Sequence, residues 1–253
     1  EIMFPDFALV AADQIFNQIG KARHMYGNTT DLPLVVRTRV AIGCGYGGQH
    51  SMDPVGLYSL FPGWRIVAPS DTFEYIGLFN SAMRSNDPVL VIEHHSLYGK
   101  EYAVPPGDLD YCIPFGKARV VAEGSDVTLL VYGSLVGRCE GLLPSLAADG
   151  VSVDLIDLRT LDLPGIDYET IGKSLWKTGA LVIAEEAAAS QSIGSAISAS
   201  IMERYFEYLD APVTRVTSHD IPLPVSRVLE RESIISDEKI FRTVAAVAKR
   251  TRP

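Results

Sequence analysis

Three cysteines, Cys44, Cys112 and Cys139, are all that 253 residues carry, odd in number and far apart. They suit neither a disulfide framework nor a thiolate metal site, and they point to a reducing compartment. No run of about 18 apolar residues occurs, so no membrane-spanning helix is expected. Positive charge is scarce: 22 Lys and Arg stand against 31 Asp and Glu, and the formal net charge is −9. That balance argues against a nucleic-acid-binding surface. Internal repeats and low-complexity tracts are also missing, and no signal or transit sequence can be read. The chain opens on Glu1 rather than Met, so a native beginning is expected upstream.

What is present is the composition of a soluble globular protein, 47% hydrophobic and 21% charged, long enough for two domains. Apolar positions recur at helix spacing from Phe7 to Met25, with Asp6 as the expected cap and Gly27-Asn28 as the stop. Leu32 to Ile42 reads as a Val-rich buried strand. A short helix is expected from Asp53-Pro54 to Phe61, a strand over Trp64 to Ala68, and a helix opening on the capping-box-like pair Asp71 and Glu74. Val89 to Glu93 is a further strand, and strand–helix–strand at this spacing implies parallel pairing. From His94 to Pro114, through Pro105-Pro106-Gly107, the pattern reads as a linker, with a domain boundary near residue 113. A second series follows: strands at Val127–Tyr132, Val153–Leu158, Leu181–Glu185 and Val213–Thr217, and helices at Val136–Ala148, Tyr168–Lys177, Ile193–Leu209 and Asp237–Lys249. The expected fold class is α/β: two doubly wound, mostly parallel-sheet domains, over residues 1–112 and 113–253. In such sheets ligands sit beyond the carboxyl ends of strands.

The sequence Arg37 to Ser51, RTRVAIGCGYGGQHS, stands out, because a strand runs into four glycines that deliver Gln49, His50 and Ser51. GCGYGG lacks the GxGxxG spacing and the following helix of a dinucleotide site, and reads instead as a loop of close approach. His50 is either a general acid–base at the rim of a site or a surface histidine bonded to its own loop. His94-His95 follow a strand end; neighbours on an extended chain face opposite ways and do not easily share one ion, so they read as structural. Phe7 is either core or a flat face for a planar ring. Asp157-Leu158-Arg159-Thr160 reads as a paired-charge corner, and Glu185-Glu186 as an acid pair or a solvated or salt-bridged rim.

The run EIMFPDFALVAADQIFNQIGKARHMYG, then LPLVVRT and GYGGQHS, resembles the beta subunit of thiamine-diphosphate-dependent 2-oxo acid dehydrogenases, the pyruvate, branched-chain and acetoin enzymes. The likeness continues in order through PGWRIVAPS, GLFNSAMRSNDPVLVIEH, IPFGKARVVAEGSDVTLLVYG, VSVDLIDLRTLDL, KTGALVIAEEA and YLDAPVTRV. It implies a pyrimidine-binding domain followed by a transketolase-type C-terminal domain, with Phe7 packing on the cofactor's aminopyrimidine. It makes His50 the active-site histidine that handles the acyl group and its passage to a lipoyl arm. It also implies a structural potassium ion at positions matching Leu34, Ala82, Met83, Ser85 and Asp87. The implied activity is oxidative decarboxylation of a 2-oxo acid with transfer to a lipoyl-bearing acyltransferase.

Two departures matter. The family's pyrimidine-bonding glutamate lies upstream of the segment matched by Glu1, and the GDG…N motif that binds Mg2+ and diphosphate is absent from this sequence. The resemblance therefore implies an alpha subunit, in an alpha2beta2 heterotetramer, that holds the diphosphate end of thiamine diphosphate with Mg2+. The competing readings are half of another thiamine enzyme, of transketolase or deoxyxylulose-phosphate synthase type, and a non-catalytic assembly subunit. A bacterial cytoplasm is the expected location, with the mitochondrial matrix as the alternative.

Overall fold

The Val-rich stretches become two sheets in the computed structural model, which describes residues 1–103 and 107–250. The first sheet holds β1 (Val35–Val40), β2 (Arg65–Val67) and β3 (Val89–His94), all parallel, in the order β1-β3-β2. β3 lies in the middle and is buried throughout, as its unbroken VLVIEH apolar run requires. β1 is shorter than the sequence spacing suggests and only partly buried, because it lies at the edge, touched by a single parallel bridge from Ile2 to Thr38. The second sheet contains β4 (Arg119–Ala122), β5 (Val127–Val131), β6 (Val153–Asp157), β7 (Leu181–Ala188) and β8 (Thr214–Ser218), in the order β4-β6-β5-β7-β8. Only β4, a strand that sequence spacing does not reveal, runs antiparallel.

The helices that matter below are α1 (Gly20–Met25), α2 (Val55–Ser59), α3 (Thr72–Met83), α4 (Ser134–Ala148), α5 (Tyr168–Thr178), α6 (Gly194–Tyr205), α7 (Arg227–Ser233) and α8 (Asp237–Arg250). The expected helix Phe7–Met25 is helical but irregular: 3-10 over Pro5–Ala11, π over Asp13–Ile19 and α only in α1. Asp6 is not its cap. Phe4 occupies that position, and the Asp6 carboxylate accepts the Met52 N–H instead, so the first turn has no side-chain cap. Gly27 and Asn28 do take left-handed φ values where the helix stops. The expected linker is fastened down. Asn80 donates to the carbonyls of Leu109 and Tyr111, and Gly77 leaves room for Ile113, whose Cγ1 would lie 2.5 Å from a Cβ there. Pro105 and Pro106 lie outside the described residues.

One apolar core crosses from sheet to sheet, joining Ile66, Leu90 and Ile92 to Leu130, Ile156 and Ile183. Around it the seam is ionic. Asp71 caps α3 by accepting the Glu74 N–H, but Glu74 does not complete the capping box. Its fully buried carboxylate lies 2.5 Å from Arg159 and 3.2 Å from Arg119, both of the second half. The Asp157–Thr160 corner is therefore not internally paired: Asp157 accepts Ser70 Oγ–H at 2.8 Å, while Arg159, at φ 57°, reaches across to Glu74. Burial pushes the Asp157 carboxyl up to about 6. Backbone bonds from Ala68 N to Arg159 O and from Leu161 N to Ile66 O stitch the same line. Removing one member of a buried ion set leaves an uncompensated charge, so Glu74→Gln is expected to cost about 3 kcal/mol. Urea unfolding checks this, and a wild-type midpoint would mean that the two arginines are satisfied without Glu74.

Candidate active site

Beyond β1 the chain turns through Gly43, Gly45 and Gly47, all at left-handed φ. Two of them aim their amides at one point. Gly43 N donates to Glu230 Oε1 at 3.0 Å and Gly45 N to Glu230 Oε2 at 2.9 Å. The loop is an anion nest whose anion is the protein's own carboxylate. At Gly47 a Cβ would lie 2.6 Å from Val225 Cγ2. The loop makes its close approach to the 222–230 segment of the second half.

The loop so held presents Tyr46 and His50. The His50 ring meets Phe4 edge-on at 4.6 Å and Phe7 at 5.2 Å, with Tyr46 at 6.2 Å. Phe4 is buried under the Arg39 guanidinium, 4.4 Å from its centroid, whereas Phe7 keeps 43% of its surface exposed. Phe7 and His50, remote in sequence, thus share one aromatic cluster at the carboxyl end of β1. Beside it a cavity of about 360 Å3 opens between the halves, lined by Asp6, Ser51 and Met52 on one wall and Gln191, Ser218 and His219 on the other. Ser51 Oγ is buried there without a partner.

Deeper in the seam, His94 ends β3 and His95 opens a 3-10 turn, and the two take different partners, Glu186 for His94 and the Tyr46 ring for His95. His94 Nε2 sits 3.0 Å from Glu186 Oε2. Burial opposes the charged imidazole, but Glu186 and then Asp53 outweigh it and raise the His94 pKa. Burial likewise pushes the Glu186 carboxyl up, and His94, Arg138 and Ser134 more than offset it. Glu185 and Glu186 are therefore neither a solvated rim nor an acid pair. Glu186 is the seam's ion-pair partner, while Glu185 accepts the amides of Ile193 and Gly194 at the start of α6. Burial and the Asp53 charge push Glu185 up to about 7 against those bonds. Tyr132 donates to Asp53 at 2.8 Å, which ties the loop after His50 to the second sheet.

Leu34, Ala82, Met83, Ser85 and Asp87 gather at the opposite, amino end of the first sheet. Leu34 O accepts from Val89 N, Ala82 O from Ser85 N, and Ser85 Oγ from Asp87 N, while Met83 is exposed. Asp87, the charged member, is already paired with Arg23 and Arg65. Guanidinium groups neutralise the Asp87 side chain, so a potassium ion at this corner would be held by the backbone oxygens of these residues. Among the described residues no three His, Cys, Asp or Glu side chains stand together at metal-ligand spacing. No described helix is long and apolar enough to cross a membrane.

Two mostly parallel sheets meeting at their carboxyl ends, with an aromatic cluster beside the cleft between them, have the architecture of transketolase-type proteins. Residues 1–101 match the transketolase pyrimidine-binding domain and residues 116–240 the transketolase C-terminal domain. The chain belongs to the family of acetoin and pyruvate dehydrogenase E1 beta subunits. It is 39% identical over 251 residues to the beta subunit of acetoin:2,6-dichlorophenolindophenol oxidoreductase of Cupriavidus necator, covering 99% of this chain and 72% of that one. It is 36% identical to the mitochondrial pyruvate dehydrogenase E1 beta subunit of Dictyostelium discoideum, covering 100% of this chain and 71% of the relative. A split-gene transketolase solved as an inactive beta4 tetramer shares the fold, with a TM-score of 0.79 at 22% identity over 99% of this chain and 75% of its own.

The seam pair sets a pH dependence. His94, with its pKa raised above 6.5, contributes fully below pH 6.5, and the contribution is lost as pH rises through the raised value. Glu186, lowered from 4.5, contributes fully above pH 4.5, and its contribution is lost as pH falls through the lowered value. The stability gap between wild type and His94→Asn, about 1–3 kcal/mol, is therefore expected to be widest between pH 4.5 and 6.5 and to narrow towards alkaline pH. Urea unfolding across pH checks it; a gap independent of pH would mean that His94 packs as a neutral ring.

Proposed function

We propose that this chain is the beta component of a 2-oxo acid dehydrogenase that passes the acyl group to a lipoyl arm, with residues 1–112 as the pyrimidine-binding half and 113–253 as the C-terminal half. The observation that carries the reading is the meeting of Phe7 and His50 at the carboxyl end of β1, beside a cleft between the two halves. The residues fit the ring end of thiamine diphosphate. Phe7 is steadied at its edge by Phe4 and His50 and keeps an open surface for a planar ring. They do not fit its diphosphate end, because the nearby amides that would cradle a phosphate already hold Glu230. We therefore assign the diphosphate and Mg2+ to an alpha subunit, in an alpha2beta2 assembly.

When bound, thiamine diphosphate supplies the nucleophilic carbanion and electron sink that decarboxylation requires. His50 is fixed by ring edges on two sides rather than by hydrogen bonds, which leaves its nitrogens available to give or take a proton at the acyl oxygen or the lipoyl thiol. Bacterial cytoplasm and mitochondrial matrix both suit this reading, since relatives come from bacteria and from mitochondria.

Reconstitution with an alpha subunit, thiamine diphosphate and a lipoyl acceptor, assayed on pyruvate, branched-chain 2-oxo acids and acetoin, is expected to give turnover with one of them. Failure with all would overturn the assignment. In that enzyme His50→Ala is expected to slow lipoyl acylation by about a hundredfold or more while thiamine affinity stays near wild type; equal loss of both would make His50 a binding residue. Phe7→Ala is expected to weaken thiamine binding roughly three- to tenfold, and unchanged affinity would remove the stacking role.

A further inference from the structure

Arginine is mostly neutralised at the seam. Arg37 meets Glu93, Arg65 meets Asp162, Arg119 meets Asp71 and Glu74, Arg138 meets Glu186, and Arg159 meets Glu74. Arg227 and Arg231 break that pattern. They stand one turn apart on α7, both exposed, and among the described residues neither has a carboxylate within ion-pair distance. Of the two acids that flank Arg231, Glu230 is buried with its oxygens committed to the Gly43 and Gly45 amides, and the exposed Glu232 makes no ion pair with either arginine among the described residues.

The two arginines line a cavity of about 270 Å3 together with Gly43, Cys44, Glu230 and His95. His95 Nδ1 is buried there without a partner. Arg39 is close enough to His95 to help hold its pKa down, behind burial, and its own Nε is also buried and unpartnered. A protein of net charge −9 thus concentrates uncompensated guanidinium groups around one walled pocket. The cavity's lining carries two guanidinium groups against the single Glu230 carboxylate, whose oxygens already accept two amides, and an excess of one sign raises the local concentration of the other. The guanidinium fork matches the oxygens of a carboxylate or phosphate.

We propose that this cavity is an oxyanion subsite, taking a carboxylate or phosphate group between Arg227, Arg231 and His95. Tyr46 joins it to the His50 cluster, its ring 5.3 Å from His95 and 6.2 Å from His50. Two sources share this chemistry: the carboxylate of a 2-oxo acid substrate, which rests on the function proposed above, and a free inorganic anion.

Calorimetric titration of inorganic phosphate into the full chain, at low ionic strength in chloride buffer and without thiamine diphosphate, tests the subsite independently of the functional reading. One saturable site is expected, weakened at least tenfold in Arg227→Gln/Arg231→Gln. Lys249→Gln, which removes a surface cation paired with Asp149, is expected to leave it unchanged. Both arginines are exposed and unpaired, so the double variant should melt with wild type in phosphate-free buffer. No saturable heat, or equal binding by the double variant, overturns the proposal. In the assembled enzyme, phosphate that raises KM at constant kcat assigns the subsite to the substrate's acidic end, and phosphate that lowers kcat alone assigns it to a free effector. Identical phosphate sensitivity of wild type and double variant in that assay overturns the subsite.

Discussion

The carboxylate of Glu230 holds the molecule's functional loop in place. Four glycines in the loop after β1 give the chain no side chains with which to fix itself, and glycine loses more conformational freedom on ordering than any other residue. Two charge-assisted bonds from one buried carboxylate offset that loss, each worth about 1.5–3 kcal/mol. Because both oxygens are used, the loop is fixed in orientation as well as position. Tyr46 and His50 inherit that placement. So does α7, whose Glu230 is buried against the loop while Arg227 and Arg231, on the same side of the helix, stay exposed and line the cavity beside it.

The rest of the seam follows from the way the two sheets meet. In a parallel sheet a crevice forms outside the carboxyl ends of the strands, at the point where strand order reverses. In the second sheet that point lies between β5 and β7, and the first half's side chains fill it: Asp53 against Tyr132 and His94 against Glu186. The residual space there is about 20 Å3, room for about one water. The seam opens only farther out, between Ser51 and the Ser218–His219 turn, where the 360 Å3 cavity lies beside His50. The closed part fixes the geometry, and the open part is left for chemistry.

Much of this was legible in the sequence, and the limits are physical. Period and capping residues locate α3, α5 and the parallel strands, because those signals are local. The resemblance singles out Phe7 and His50, and the fold brings them into contact. Glu230 was not legible. Pro224, Ser226 and an acid in the first turn hint at a helix start in α7, but nothing local indicates that its carboxylate belongs to glycines at positions 43 and 45. The same blindness made Glu74 look like half of a capping box and Asp6 look like a cap. A short carboxylate satisfies a local amide or a distant one equally well in sequence, and tertiary packing decides which. The glycines read as a loop of close approach, and the chain's own 222–230 segment comes close to them.

The buried acids also constrain one another. Tyr132 has a single proton, yet its hydroxyl lies 2.8 Å from Asp53 and 3.4 Å from Glu185. A phenol can donate to only one of them. Each carboxylate has backbone donors as well: Asp53 accepts the Val55 N–H, and Glu185 accepts those of Ile193 and Gly194. Burial nevertheless disfavours the charge on both acids and pushes them up, Glu185 to about 7. Glu186, one residue further along β7, avoids the problem because His94, Arg138 and Ser134 stabilise its charge. Adjacent glutamates on one strand thus take opposite protonation habits from their surroundings, as their alternating directions on β7 allow. The loop that follows His50 is therefore joined to the second sheet through the Tyr132–Asp53 hydrogen bond, which lies beside a glutamate whose charge burial disfavours.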